Sequence, residues 1–342
     1  LATSYDALLV VSFGGPEGPD DVLPFLENVL RGKNVPRERM LEVAEHYQHF
    51  GGKSPINDQN RALIAALRPV LAEAGVDLPI YWGNRNWHPL LPETLAEMGQ
   101  AGVRRALAFF TSAFSSYSGC RQYREDVARA QAEVGPIAPA VDKLRAFYNH
   151  PGYIAAMTAR VQEALARLSP SDAQRAELVF TAHSIPSAMA AGCRYEEQLR
   201  EASRLVAEAV GRKRLSVVYQ SRSGPPQQPW LEPDVGDYLR SLAAKESGQP
   251  VVLVPIGFIS DHMEVLYDLD TEAHDLCVEL GLPMVRAATA GTHPAFIGMI
   301  RDLILERIDG AAERPALGVL PASHDVCPEG CCPSGRPQTP RT

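Results

Sequence analysis

The sequence predicts an α/β protein of two similar doubly wound (Rossmann-like) halves, each a four-stranded parallel sheet flanked by helices. Three observations carry this. Short apolar runs alternate with amphipathic stretches, the rhythm of parallel strands joined by crossover helices. Residues 251–254, Val-Val-Leu-Val, form the continuous β-branched run expected of a strand buried on both faces. Two helix starts repeat, His-Pro-Gly-Tyr-Ile from 150 and His-Pro-Ala-Phe-Ile from 293. Their offset of 143 residues also lays the third strand of the first half over 251–256. The expected division is 1–149, 150–310 and a proline-rich, cysteine-containing tail over 311–342, with a ligand cleft between the halves.

Residues 5–12 (YDALLVVS) read as the first strand, ending in Phe13-Gly14-Gly15-Pro16. That glycine pair lacks the third glycine and the downstream acidic residue of a dinucleotide fingerprint. Asp20 is placed to cap a helix through Leu30, and Arg31, Lys33, Arg37 and Arg39 gather around the following loop. The turn Gly51-Gly52-Lys53-Ser54-Pro55 precedes a helix over 57–74. Residues 79–83 make the second strand, with Arg85 after its end, and 105–112 the third. A polar loop over 115–120 leads into a helix over 120–133 that carries Tyr123. A strand over 140–144 closes the first half. After His150-Pro151 a helix runs to 168, and strands over 178–182, 215–220, 251–256 and 284–287 alternate with helices, the last ending at 308.

The chemistry gathers at the ends of the second set of strands. Pro255 and Gly257 break the ladder after 251–254, and Ser260 or Asp261 offers an N-cap. From Met263 the period is helical, with Leu266, Leu269, Ala273 and Leu276 on one face. Asp261, Glu264, Asp268 and Glu272 line another face. Stacked carboxylates repel unless a cation offsets them, and most acidic faces are simply solvated. This one begins where a buried strand ends, and α/β proteins bind ligands at that place. His262 sits at the same corner, His183 ends the neighbouring strand in His183-Ser184-Ile185-Pro186, and Gln220-Ser221-Arg222 end the next. His183 and Glu264 together make an open ligand set for a divalent metal in transit.

Composition narrows the partners. A formal charge of −8 over 342 residues argues against nucleic acid. The longest apolar run, 251–259, is half of what a bilayer needs, and the first residues carry no leader pattern, so a cytoplasmic protein without stable membrane insertion is expected. The tail has prolines at 315, 321, 328, 333, 337 and 340, a composition that packs no core alone. It holds Cys327, Cys331 and Cys332, read as a zinc site, a redox pair or thiols without function. Adjacent cysteines and a reducing compartment both disfavour a disulfide. A [2Fe–2S] cluster takes four thiolates, and Cys120, Cys193 and Cys277 compete to be the fourth.

Five motifs in order, SFGGPEG at 12, GGKSP at 51, FTAHSIP at 180, YQSRSGPPQQPWLEP at 219 and FISDHMEVLYDLD at 258, closely resemble ferrochelatases over residues 5–308. The extended SFGGPEGP and QSRSGPP forms are similar to the Gram-positive bacterial branch, which inserts iron into coproporphyrin III. The resemblance implies a chelatase-like fold, catalytic His183 and Glu264 flanking the porphyrin, and Asp268 and Glu272 extending an acidic path outward. A neutral His183 is expected to accept pyrrole protons. The resemblance also implies that Ser54 and Tyr123 contact substrate propionates, although Ser54 equally suits an N-cap. The arginines at 31, 37, 39 and 85 are further carboxylate donors to consider. Some relatives carry a metal-ligating tyrosine after the first strand, where this chain has Phe13. Some carry a [2Fe–2S] cluster on three tail cysteines and one at the position matching Cys120, here Cys120, Cys327, Cys331 and Cys332. Other readings are a protoporphyrin IX ferrochelatase, a chelatase for another tetrapyrrole or metal, and a non-catalytic two-domain ligand-binding protein.

Overall fold

The computed structural model describes residues 4–32, 35–225, 227–310 and 313–335. Lys33 of the basic loop, residues 311–312 and the tail beyond 335, with its prolines at 337 and 340, lie outside the described residues.

Eight strands form two parallel sheets. The first holds β1 (Ala7–Ser12), β2 (Ile80–Asn84), β3 (Arg105–Phe110) and β4 (Ala140–Lys143) in the order β2-β1-β3-β4. The second holds β5 (Glu177–His183), β6 (Leu215–Gln220), β7 (Val251–Val254) and β8 (Met284–Arg286) in the order β6-β5-β7-β8. The same permutation appears twice, as the repeated rhythm of the sequence required. Strand side chains alternate between two cores. Leu8 and Val10 of β1 face a core shared by both sheets, whereas Ala7, Leu9 and Val11 face a separate outer cluster. In the second sheet Leu178, Phe180, Val252 and Val254 face the shared core, and Val179, Val251 and Leu253 face the other side. Both faces of the central strands β1 and β7 are buried, so their runs are almost wholly apolar. Each such side chain contributes roughly 1.5–3 kcal/mol of burial.

Three helices join the sheets. Ile56–Glu73, Pro151–Leu165 and Pro294–Ile308 supply Leu63, Leu67, Ile154, Met157, Ile300 and Leu303 to the shared core. The repeated His-Pro starts have a local cause. His150 Nδ1 accepts from the Gly152 amide at 3.1 Å and His293 Nδ1 from the Ala295 amide at 3.2 Å, with proline at the first helical position each time. Each histidine therefore caps its helix. The two helices cross at Gly152, where a Cβ would lie 2.6 Å from the Ala295 carbonyl oxygen, so only glycine fits.

Two expectations are corrected. Asp20 does not cap through its side chain: it lies in a 3₁₀ turn, Pro19–Asp21, ahead of the helix Val22–Leu30. The segment after residue 262 is no uniform α-helix either. A short α turn, Met263–Val265, passes into a π-helix, Leu266–Ala273, before α geometry resumes over His274–Leu280. Such π segments recur at functional sites.

The tail is docked by backbone pairing rather than left as coil. Asn149 donates from Nδ2 to the carbonyls of Leu317 (3.3 Å) and Leu320 (2.8 Å), and its own carbonyl accepts from the Leu317 amide at 2.8 Å. Arg145, fully buried, pairs with Glu306 at 2.8 Å and reaches the Pro315 carbonyl at 2.9 Å.

Candidate active site

Adjacent strand ends converge here because β5 and β6 pair in register, which sets His183 beside Gln220. The loop after β7 brings Glu264 to the same corner. His183 Nε2 lies 3.6 Å from Glu264 Oε1. On its other side, Nδ1 donates to the Ser184 carbonyl at 2.5 Å. A carbonyl only accepts, so this bond fixes a proton on Nδ1. Nε2 is then the nitrogen that gains or loses a proton, and it faces the carboxylate.

The cap of this corner is His262, not Ser260 or Asp261. Its Nδ1 accepts from the Glu264 amide at 3.2 Å, and its carbonyl accepts from the amides of Val265 and Leu266 at 3.0 Å each. Asp261 is held by Arg286 at 3.0 Å, and the same guanidinium grips Asp270 at 2.6 Å. Gln220 Nε2 donates to the Glu264 carbonyl at 3.0 Å and to Asp268 Oδ2 at 3.3 Å. Ser221, in the left-handed region at φ 60, directs its hydroxyl to the same Asp268 oxygen. A non-glycine residue held there stores backbone strain.

Protonation follows from these neighbours. Burial alone would lower the pKa of His183, but the Glu264 charge and hydrogen bond, the Ser184 carbonyl and the Asp268 charge raise it to about 9. These neighbours favour the protonated imidazole. This differs from the neutral base expected from the sequence, where no distance to Glu264 was visible. Burial raises Asp268 to about 7 against the Ser221 hydrogen bond, with Glu264 and Glu272 adding repulsion. Glu272 is raised as well, by burial and by Asp234. The acidic row thus titrates close to neutrality at its buried end.

The other predicted residues are placed as follows. Ser54 is buried, its amide donating to the Pro16 carbonyl at 2.9 Å, while Pro55 occupies the cap position of Ile56–Glu73. Gly52, at φ 74, lets this loop turn against Pro19, where a Cβ would meet backbone at 2.4 Å. Tyr123 is buried beneath the Arg85 guanidinium, 4.4 Å from its ring centroid. Arg85 also lies over Phe13 at 5.6 Å and pairs with Asp126 at 2.5 Å, so its charge is already neutralised. Arg31 bonds Asn28 at 2.5 Å and Arg39 pairs with Glu42 at 2.7 Å. A cavity of about 530 Å³ lies elsewhere, lined by Cys193, Glu196, Arg200 and Leu320. The strand-end corner is where the convergent polar groups are.

Of the tail cysteines, Cys327 lies against Cys120, and Cys331 and Cys332 lie against each other. Cys120 Sγ is 4.0 Å from Cys327 Sγ, and Cys331 Sγ is 3.5 Å from Cys332 Sγ. The contact with Cys120, with Lys143 and His324 nearby, pulls the Cys327 thiol toward thiolate. Four thiols in two close pairs fit a group that takes four thiolates. His324 was missed. Its ring Nε2 lies 3.8 Å from Cys331 Sγ, and with Cys327 and Cys331 it forms a three-donor set. Its signal was present three residues before Cys327, hidden by attention to cysteine alone.

The ferrochelatase family model matches residues 5–308. The chain belongs to the ferrochelatase family. A ferrochelatase of Rhodopirellula baltica is 61% identical over 96% of this chain and 93% of its own length. A coproporphyrin III ferrochelatase of Streptomyces coelicolor is 53% identical over 98% of this chain and 96% of its own. The structure of SirB from Bacillus subtilis with Fe³⁺ covers 89% of this chain and 96% of that one, with TM-score 0.56 at 13% identity. That likeness bears out the chelatase-like fold. No helix among the described residues is long and apolar enough to cross a membrane.

Proposed function

We propose that this ferrochelatase inserts Fe²⁺ into coproporphyrin III, with His183 and Glu264 as the catalytic pair. The observation that supports this most is the imidazole–carboxylate pair 3.6 Å apart at converging strand ends, in a chain about half identical to proteins named coproporphyrin III ferrochelatase. Insertion replaces two pyrrole protons with one dication, so charge balances only if two protons leave. Glu264 attracts the incoming Fe²⁺, and a carboxylate engaged by iron no longer compensates the His183 charge. The imidazole then releases its Nε2 proton to bulk water at this partly exposed corner and becomes the base that accepts the first pyrrole proton. Asp268, poised near neutrality, takes the second and passes it along the row to Glu272. Ser54 and Tyr123 are proposed as propionate contacts on the family motif, with carboxylates reaching them only once the loops over 13–17 and 52–55 part. Phe13 supplies no oxygen, so no axial phenolate enters the scheme.

The division at 149/150 and 310/311 belongs to the same proposal, supported by the repeated sheet order. So does a [2Fe–2S] cluster on Cys120, Cys327, Cys331 and Cys332, supported by the two thiol pairs. When bound, such a cluster supplies a covalent cross-link and one-electron redox chemistry. A cytoplasmic setting accords with six free thiols. The test is anaerobic incubation with Fe²⁺ and either coproporphyrin III or protoporphyrin IX, followed through the porphyrin absorption bands. We expect higher kcat/KM for coproporphyrin III, and a His183→Ala variant that binds porphyrin without metallating it. Preference for protoporphyrin IX overturns the substrate, and near-native turnover by the variant overturns the base.

A further inference from the structure

One side chain of the first half reaches into the loop that carries Glu264. Gln59 lies in the first turn of Ile56–Glu73, and its Nε2 donates to the Asp261 carbonyl at 3.0 Å. The Asp261 amide donates back to Gln59 Oε1 at 2.8 Å. The primary amide therefore pairs with a peptide unit at both ends, as a neighbouring strand would. Its orientation is determined, since the flipped amide would set donor against donor.

Two neighbours on the same turn show what else this helix holds. Asn57 Nδ2 donates to the Gly15 carbonyl at 3.0 Å, and Asn60 Nδ2 donates to Ser12 Oγ at 2.9 Å. Ser54 immediately precedes the helix. One helix end thus grips the loop after β1, adjoins the loop proposed to meet propionates, and clamps the metal-handling loop of the other half. Asp261 is one residue from the His262 cap and three from Glu264. Its carboxylate is fixed by Arg286 from its own half, but its backbone is fixed by Gln59 across the cleft. A rotation there moves the cap, and with it the carboxylate facing His183.

We propose that Gln59 is a positioning residue for insertion: it locks the 259–262 loop to the porphyrin-binding half and so sets Glu264 against His183. The inference rests on the reading of Glu264 as the metal-handling carboxylate. Gln59 touches neither metal nor porphyrin in this arrangement and acts through the backbone of Asp261.

The experiment compares wild type with Gln59→Leu, of similar size but without either bond, and Gln59→Glu, which still accepts the Asp261 amide. Amide hydrogen exchange over 258–266 is read in each, together with kcat and KM for Fe²⁺ and coproporphyrin III. In Gln59→Leu we expect fast exchange at Asp261, unchanged KM for porphyrin, and a kcat lower by roughly 100-fold, the order expected for an ångström of misplacement. Gln59→Glu restores protection of the Asp261 amide. Coproporphyrin slows exchange over 258–266 in wild type and fails to do so in Gln59→Leu. Full protection in Gln59→Leu shows that the clamp does not hold the loop and overturns the proposal. Loss of protection with native kcat overturns the positioning role. A higher porphyrin KM with unchanged kcat also overturns it, since that marks a binding or folding defect. Glu264→Gln, measured alongside, separates these failures from failure of the catalytic reading: native turnover in that variant refutes the reading itself.

Discussion

Replacing Glu264 by glutamine removes the charge that keeps His183 protonated while preserving shape. At 3.6 Å a unit-charge pair is worth between about 1 kcal/mol in water and about 5 kcal/mol at a surface dielectric, roughly one to three pKa units. Glu264 is 47% exposed, so screening favours the lower part of that range, and we expect a fall of about one to two units. The assay is NMR titration of the histidine rings, with the His183 resonance assigned by its absence in His183→Ala. The wild-type ring should titrate near 9, and that of Glu264→Gln closer to neutrality. The sign for stability follows. A histidine whose folded pKa exceeds its unfolded value of ~6.5 contributes stability that is complete below ~6.5 and lost as pH rises through about 9. Over that window the wild type should lose a larger increment of Tm than Glu264→Gln does. A His183 pKa that stays put in the variant refutes the coupling of metal arrival to proton release.

Two further outcomes test regions away from this pair. Anaerobically purified protein should show thiolate-to-iron charge-transfer absorption that Cys120→Ser abolishes and Cys277→Ser leaves intact, because Cys277 is buried among Leu269, Ala273 and Leu282; colourless protein containing zinc but no sulfide would refute the cluster. Arg145→Met should lower the unfolding free energy by about 3–5 kcal/mol by leaving Glu306 buried without its main partner, as measured by urea titration, and a change below about 1 kcal/mol would mean that Arg314, 3.7 Å from Glu306, suffices as a partner.

What the sequence revealed and what it hid divide along sequence distance. The central strands β1, β3, β5 and β7 were legible because strands buried on both faces are almost wholly apolar, a signal contained within a few residues, and the partly exposed edge strands followed from the alternating rhythm. The His-Pro starts were legible as a repeat, and the repeat was real because each histidine caps its own helix two residues on. His183 and Glu264 stood out as strand-end residues, yet the raised basicity of His183 needed a distance between positions 81 residues apart, 183 and 264. The π segment was hidden because its apolar positions at 266, 269 and 273 suit an α period as well. Arg85 looked like a free cation, whereas Asp126, 41 residues away, had claimed it. The docking of the tail was hidden for the same reason. Its partners are Asn149, Arg145 and Tyr148, residues whose carbonyl contacts leave no mark in local composition.

That docking has a consequence for how the protein is made. Residues 313–335 are made after the surfaces on which they seat, presented by residues 121, 143–149 and 201. Until they arrive, Asn149 and the Arg145–Glu306 pair lack the carbonyls of 315, 317 and 320 as partners. A chain cut short before Cys327 would have no tail thiol to set against Cys120.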